Sequence, residues 1–461
     1  MLTFSSFCRG LATAPFALAL LASTALAQDP NRISQIVQAQ ADAEDFSGAV
    51  LVSRDGQIVF DQGYGLANRE WNIANDGQTK FRLGSVSKQF TAASILLLAE
   101  QGKVELDAPI TTWITDAPAT WNGITLRHLM SHTSGIANFT DFPEFASQST
   151  LPATLDSLIA RFKDRPLDFQ TGTRFRYSNS GYILLTAIIE KASSQSYESF
   201  VNENIFTPLG MKDSGYDRHT TILSRRASGY TPTASGPVNA NYTDMSIPAG
   251  AGALYSTTHD LMKWNEALYG GKLLQPASLA QMITPTLDTN ALGLFVREEN
   301  NHKLVWHNGA IEGFNTYLAW DPETRSSIVV LGNLNGAAPD VIGAQLAALV
   351  QGQAVTLASE RVAIALSATE LEEYVGAYPL APTFVITIRT VDGKLQAQAT
   401  GQAPFDIHPE SKDRFFLTNI DAQLSFTRNA DGKVDGLVLH QNGQEETAER
   451  IMALALTYRR H

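Results

Sequence analysis

Strand patterns stand at both ends of roughly the first 335 residues of this chain, and helical patterns fill the interval between them. From Phe46 to Gly63, FSGAVLVSRDGQIVFDQG carries two apolar or alternating runs about Asp55-Gly56, the signature of a hairpin. Strand patterns return at Ala310 to Trp320 and Ser326 to Leu331, around the turn-rich Asp321-Pro322-Glu323-Thr324. Between them, FRLGSVSKQFTAASILLLAEQGK sets Val86, Phe90, Ala93 and Leu97 on one helical face, with Gly102 as a stop. Further helical patterns cover Leu151 to Phe162, Tyr182 to Ser194 and His259 to Tyr269. Such a layout predicts an α/β or α+β domain whose sheet pairs distant parts of the chain.

After about Val355 the pattern changes. Tryptophan disappears, and short alternating segments follow at Phe384 to Thr390, Leu395 to Thr400, Arg414 to Thr418, Leu424 to Thr427 and Val434 to His440. Asp392-Gly393 and Asp431-Gly432 punctuate them as turns, which predicts a second, all-β domain closing into a small barrel. The expected division is 1–27, 28–355 and 356–461.

The first of these reads as a secretory signal. One Arg9, an apolar run from Leu11 to Ala22 and then Ala25-Leu26-Ala27 place cleavage before Gln28; the run is shorter than a spanning helix and Pro15 interrupts it. The alternative is a retained anchor. Cys8, the one cysteine, lies in that segment, so cysteine chemistry and disulfides are excluded from the mature chain. Removing the segment leaves 33 basic against 46 acidic residues and moves the formal charge from -12 to -13, unfavourable for nucleic acid or anionic lipid. A periplasmic or secreted protein without stable membrane insertion is expected; oligomeric state is not legible.

Three constellations could carry chemistry. Ser85 and Lys88, three apart at a helix start, face the same way, where unpaired backbone N–H groups favour negative charge. Lys88 could take the serine proton if burial lowers its pKa; an exposed helix lysine and a capping serine are the alternative. In RFRYSNSGY, Tyr177 could shuttle a proton and Asn179 could hold a substrate carbonyl and the lysine, or Ser178 or Asn179 could simply cap the next helix. In LVWHNGAIEGFNTYLAW, His307, Gly309 and Ala310 could border a cleft along which a substrate lies as an added strand, although a lone strand histidine is more often structural.

Ser85-Val86-Ser87-Lys88, Tyr177-Ser178-Asn179 and His307-Asn308-Gly309, in that order, resemble the three motifs of the serine β-lactamase and penicillin-binding protein superfamily. LRHLMSHTSGI, IFTPLGMKDSGY and AGAGALYSTTHDLMKW add to the resemblance, which runs from about residue 45 to 335. It implies an antiparallel sheet with a helical subdomain. It points to the branch holding class C β-lactamases, D-alanyl-D-alanine carboxypeptidases, D-aminopeptidases and β-lactamase-fold esterases. There it implies Ser85 as acylated nucleophile, Lys88 with Tyr177 as the proton-transfer pair, Asn179 and His307 as site residues, and the N–H groups of Ser85 and Ala310 as an oxyanion hole beside Gly309, with no metal or cofactor. The C-terminal domain resembles the lipocalin-like barrels of such hydrolases.

Two departures matter. Asn308 and Ala310 flank Gly309 where hydroxyl residues usually bind a substrate carboxylate, and Trp306 precedes His307, lining the pocket or filling the core. Esterase or D-amino-acid peptidase activity on a small molecule or short peptide is therefore expected ahead of carboxypeptidase or β-lactamase activity. Competing classes fare worse: His128 and His132 lack the partners of a zinc site, no Gly-x-Ser-x-Gly occurs, and a non-catalytic binder of peptides or peptidoglycan fragments would not need the full residue set.

Overall fold

A computed structural model describes residues 29–299, 302–417, 422–441 and 444–451, and divides into two compact units between Ala354 and Val355. The expected signal segment and Cys8 lie outside the described residues, as does Thr418.

In the first unit, a helix over Pro30–Asp42 (α1) leads into strands Gly48–Arg54 (β1) and Gln57–Tyr64 (β2). Their turn has Asp55 at φ 49° and Gly56 at φ 72°, the left-handed pair of a two-residue hairpin. Later come helices Ser87–Glu100 (α2), Asn179–Ser193 (α3) and Thr258–Tyr269 (α4), then strands Phe295–Glu299 (β3), His302–Ile311 (β4), Phe314–Asp321 (β5) and Ser326–Gly332 (β6), and helix Ala338–Val350 (α5). The six strands form one antiparallel sheet in the order β3-β4-β5-β6-β1-β2. The N-terminal hairpin thus completes a sheet begun about 250 residues later, with Gly48 opposite Gly332 and Arg54 opposite Ser326.

Burial follows the pleat. Ala49, Leu51, Leu318, Val329 and Leu331 join the main core with α2, α3 and α4, while Tyr317 faces the other way, against Gly343 of α5. With both faces covered, β1 is buried from Gly48 to Ser53 and reads as a continuous apolar run.

Two expectations need correction. Ala310 to Trp320 is not one strand but two, because Glu312-Gly313 form a hairpin turn between β4 and β5. Helix α2 is not amphipathic: Ser87 to Leu96 are all buried, so its apolar periodicity marks only part of a helix embedded on every side. Phe90, at 4.0 Å between ring centroids from Trp264, is its central anchor. Truncating such a side chain to alanine costs about 3–5 kcal/mol.

The second unit is an eight-stranded antiparallel meander from Gly376–Ala381 (β7) to Gln444–Glu449 (β14), each strand paired with the next. Ile451 pairs back onto Ala377, which nearly closes a barrel around Tyr374, Tyr378, Ile388, Phe415 and Phe426. The sequence reading missed Gly376–Ala381 and Phe405–Ser411, which contain Pro379 and Pro409 at register shifts where a proline is tolerated, and the polar Gln444–Glu449.

Candidate active site

Gly84 gives the site its geometry. At φ 52° it turns the chain from the short strand Phe81–Arg82 into a single 3₁₀ turn, Gly84–Val86, so that Ser85 precedes α2 rather than capping it. A Cβ on Gly84 would lie 2.8 Å from the Ala310 nitrogen, and one on Gly309 would lie 2.0 Å from the Leu83 carbonyl oxygen. The absence of both side chains lets the Ser85 turn and strand β4 touch backbone to backbone.

One helical turn beyond Ser85, Lys88 is completely buried. Its Nζ donates to Ser85 Oγ at 3.0 Å, Asn179 Oδ1 at 2.9 Å and the Ala251 carbonyl at 2.8 Å. The Asn179 amide is turned by its Nδ2, which donates to Thr140 Oγ1, while Asn138 Oδ1 accepts from the Asn179 backbone N–H. Burial holds the Lys88 ammonium well below the usual lysine range. A neutral amine keeps two donors, for Asn179 and Ala251, and turns its lone pair to the Ser85 O–H. The three contacts therefore suit both protonation states.

Behind Ser85, the Tyr177 ring lies 4.8 Å from Lys88 Nζ and stacks on His132 at 4.3 Å. Burial pushes the phenol up; Ser85 is near enough to oppose that rise, yet the Tyr177 hydroxyl forms no hydrogen bond of good geometry. His307, 6.1 Å from Tyr177 between ring centroids, is driven down to about 3, chiefly by burial. It is a neutral imidazole whose Nδ1 faces the Asn308 carbonyl at 2.5 Å, which leaves Nε2 as a buried acceptor without a partner. His132 is likewise held neutral, chiefly by burial; its Nδ1 accepts from the Ser178 N–H, and its Nε2 is unpartnered. Each buried polar atom left unpaired costs about 1–3 kcal/mol, a cost proteins concentrate where chemistry needs the atom.

Ser85, Asn179 and Ala310 line a cleft of about 460 Å³ together with Phe139, Ile247 and Glu312. Lys88, Tyr177 and His307 lie behind that wall. Asn308 lies off the cleft wall, its Nδ2 donating to Asp340, a half-buried carboxyl that burial raises to about 6. Trp306 also lies outside the cleft, stacked on Tyr317 at 5.6 Å. Ser178 stands at the cap position of α3 without a capping side-chain bond, its Oγ donating instead to the Ile136 carbonyl. His128 closes a capping box with Thr125. Ala251, Thr140, Asn138 and His132 were not legible as site residues: they act through backbone or orienting contacts that only the fold assembles.

An α/β unit with a Ser–Lys pair at the head of a buried helix, bordered by an edge of antiparallel sheet, defines the β-lactamase and transpeptidase class. Residues 33–352 match the Beta-lactamase family, and the chain belongs to that family. Residues 360–450 match a domain of unknown function, DUF3471. Penicillin-binding protein 4* of Bacillus subtilis is 26% identical over 91% of this chain and 98% of its own length. The structure of D-amino acid amidase from Ochrobactrum anthropi SV3, complexed with L-phenylalanine amide, is 25% identical over 70% of this chain and 98% of that one, with a TM-score of 0.62. The octameric penicillin-binding protein homologue from Pyrococcus abyssi shares the fold over 91% of this chain and all of its own, at 24% identity and a TM-score of 0.67. The chain is a β-lactamase-fold hydrolase related to penicillin-binding proteins and D-amino acid amidases.

Proposed function

We infer that the protein cleaves an ester or amide of a small molecule or short peptide through an acyl-Ser85 intermediate, as an esterase or D-amino-acid peptidase. The observation that carries this is the fully buried Lys88, hydrogen-bonded to Ser85 with no carboxylate partner among the described residues. Neutral Lys88 accepts the Ser85 proton as Oγ attacks the substrate carbonyl. The backbone N–H groups of Ser85 and Ala310 receive the developing oxyanion. Collapse breaks the C–O or C–N bond, and the leaving group takes the proton, with Tyr177 in the transfer path. Water then repeats the sequence and frees Ser85. The N-terminal 27 residues support action in the periplasm or outside the cell, and no helix among the described residues is long and apolar enough to cross a membrane. Steady-state hydrolysis of p-nitrophenyl acetate and of D-amino acid p-nitroanilides tests the reading: activity absent from Ser85→Ala supports it, and equal activity in that variant overturns it.

A further inference from the structure

The cleft that holds Ser85 is walled by apolar and neutral polar residues with a single exception, the carboxylate of Glu312. Neither lysine nor arginine lines it. Glu312 follows Ala310 by two residues, at the turn between β4 and β5, and lines the same cleft as Ser85. Among the described residues its side chain has no hydrogen-bond or ion-pair partner. Glu312 also borders the adjoining depression together with Arg82 and Arg226, whose guanidinium groups are both directed to Asp217, at 2.7 Å each, and not to Glu312.

The turn that carries Glu312 is held in place. Asn335 donates from Nδ2 to the Ile311 carbonyl at 3.2 Å and accepts the Gly313 N–H at Oδ1, 2.7 Å away. Asn335 Nδ2 also reaches Asn315 Oδ1 at 3.0 Å, which accepts the Gly336 N–H as well. An unpaired carboxylate on a braced turn, facing a cleft otherwise without charge, is poised to receive a cation at little ordering cost.

We propose that Glu312 forms a cation-binding subsite, and that the substrates carry a protonated amine on the acyl side of the scissile bond, as amino-acid esters, amides and peptides with a free N-terminus do. A carboxylate on the acyl side of a substrate meets like charge there and no counter-charge, which disfavours N-succinyl and other acidic acyl groups. This rests on the reading of Ser85 as nucleophile.

The test compares kcat/KM for D-alanine p-nitroanilide with that for its N-acetyl derivative. The wild type is expected to prefer the free amine by at least about tenfold, and Glu312→Gln to bring the ratio near one; a thermal melt reports folding of the variant. Glu312→Lys is expected to reverse the order when an N-succinyl substrate replaces the amine. Should both variants fail to fold, the wild type still decides: benzylammonium should compete with p-nitrophenyl acetate hydrolysis at least about tenfold more tightly than benzyl alcohol. An equal ratio in wild type and Glu312→Gln, or equal inhibition by the two benzyl compounds, overturns the subsite. Loss of p-nitrophenyl acetate turnover in Ser85→Ala is scored separately, so a failed subsite is distinguishable from a failed nucleophile.

Discussion

The Nζ of Lys88 lies 3.0 Å from the Oγ of Ser85, and its other contacts are a carbonyl and an amide rather than a carboxylate. An ammonium buried without counter-charge is costly, so the fold favours the amine, the form able to accept a proton. Lys88→Arg keeps a cation but cannot deprotonate. It is expected to lower kcat by more than about 1,000-fold, and its pH–rate profile should lose the acid limb set by Lys88. Wild-type kcat in Lys88→Arg would remove the lysine from the proton path.

Tyr177→Phe removes only a hydroxyl that has no well-formed hydrogen bond, so the fold should persist. Single-turnover acylation by an activated ester is expected to slow by about 100-fold or more. An unchanged acylation rate would leave Tyr177 with no more than a packing role beside Lys88 and His132.

Gly84→Ala and Gly309→Ala test the close approach of the Ser85 turn to strand β4. The first places a side chain at φ 52° and 2.8 Å from the Ala310 nitrogen, and should cut kcat/KM at least tenfold by spreading the two N–H donors apart. The second drives a methyl to 2.0 Å from the Leu83 oxygen, and should cost about 3 kcal/mol in chemical denaturation. Neutral outcomes for both would show that this contact can relax.

His307 gives stability a pH dependence. Its folded pKa of about 3 lies below the ordinary 6.5, so the unfolded chain binds the extra proton between those values. Its contribution is complete above pH 6.5 and is lost on acidification toward pH 3, by about 1.4 kcal/mol per pH unit. His307→Gln should therefore flatten the stability profile between pH 6 and pH 4 relative to wild type. Parallel profiles would mean that His307 can be protonated in the fold.

Much of the fold and of the candidate site was legible in the chain because the candidate residues sit in short, ordered motifs. Ser85, Lys88, Tyr177 and His307 stand where element starts and strand spacing put them, and the Asp55-Gly56 and Asp392-Gly393 turns follow from residues that tolerate left-handed backbone. What stayed hidden is contact made across the chain. The Ala251 carbonyl meets Lys88 from 163 positions away, and His132, weighed in the sequence only as a metal ligand, stacks on Tyr177 from a distant loop. Glu312 went unremarked because its turn lies within an apolar run that reads as one strand, and the strands through Pro379 and Pro409 hid behind residues that ordinarily end strands.

The most direct test of the account is the intact mass of the protein and of Ser85→Ala after a brief exposure to an activated short-chain ester and an acid quench, with the modified peptide then sequenced. The account predicts one acyl adduct in the wild type, located on Ser85, and none in the variant. An adduct of equal yield in Ser85→Ala, or one mapped to another residue, would contradict it.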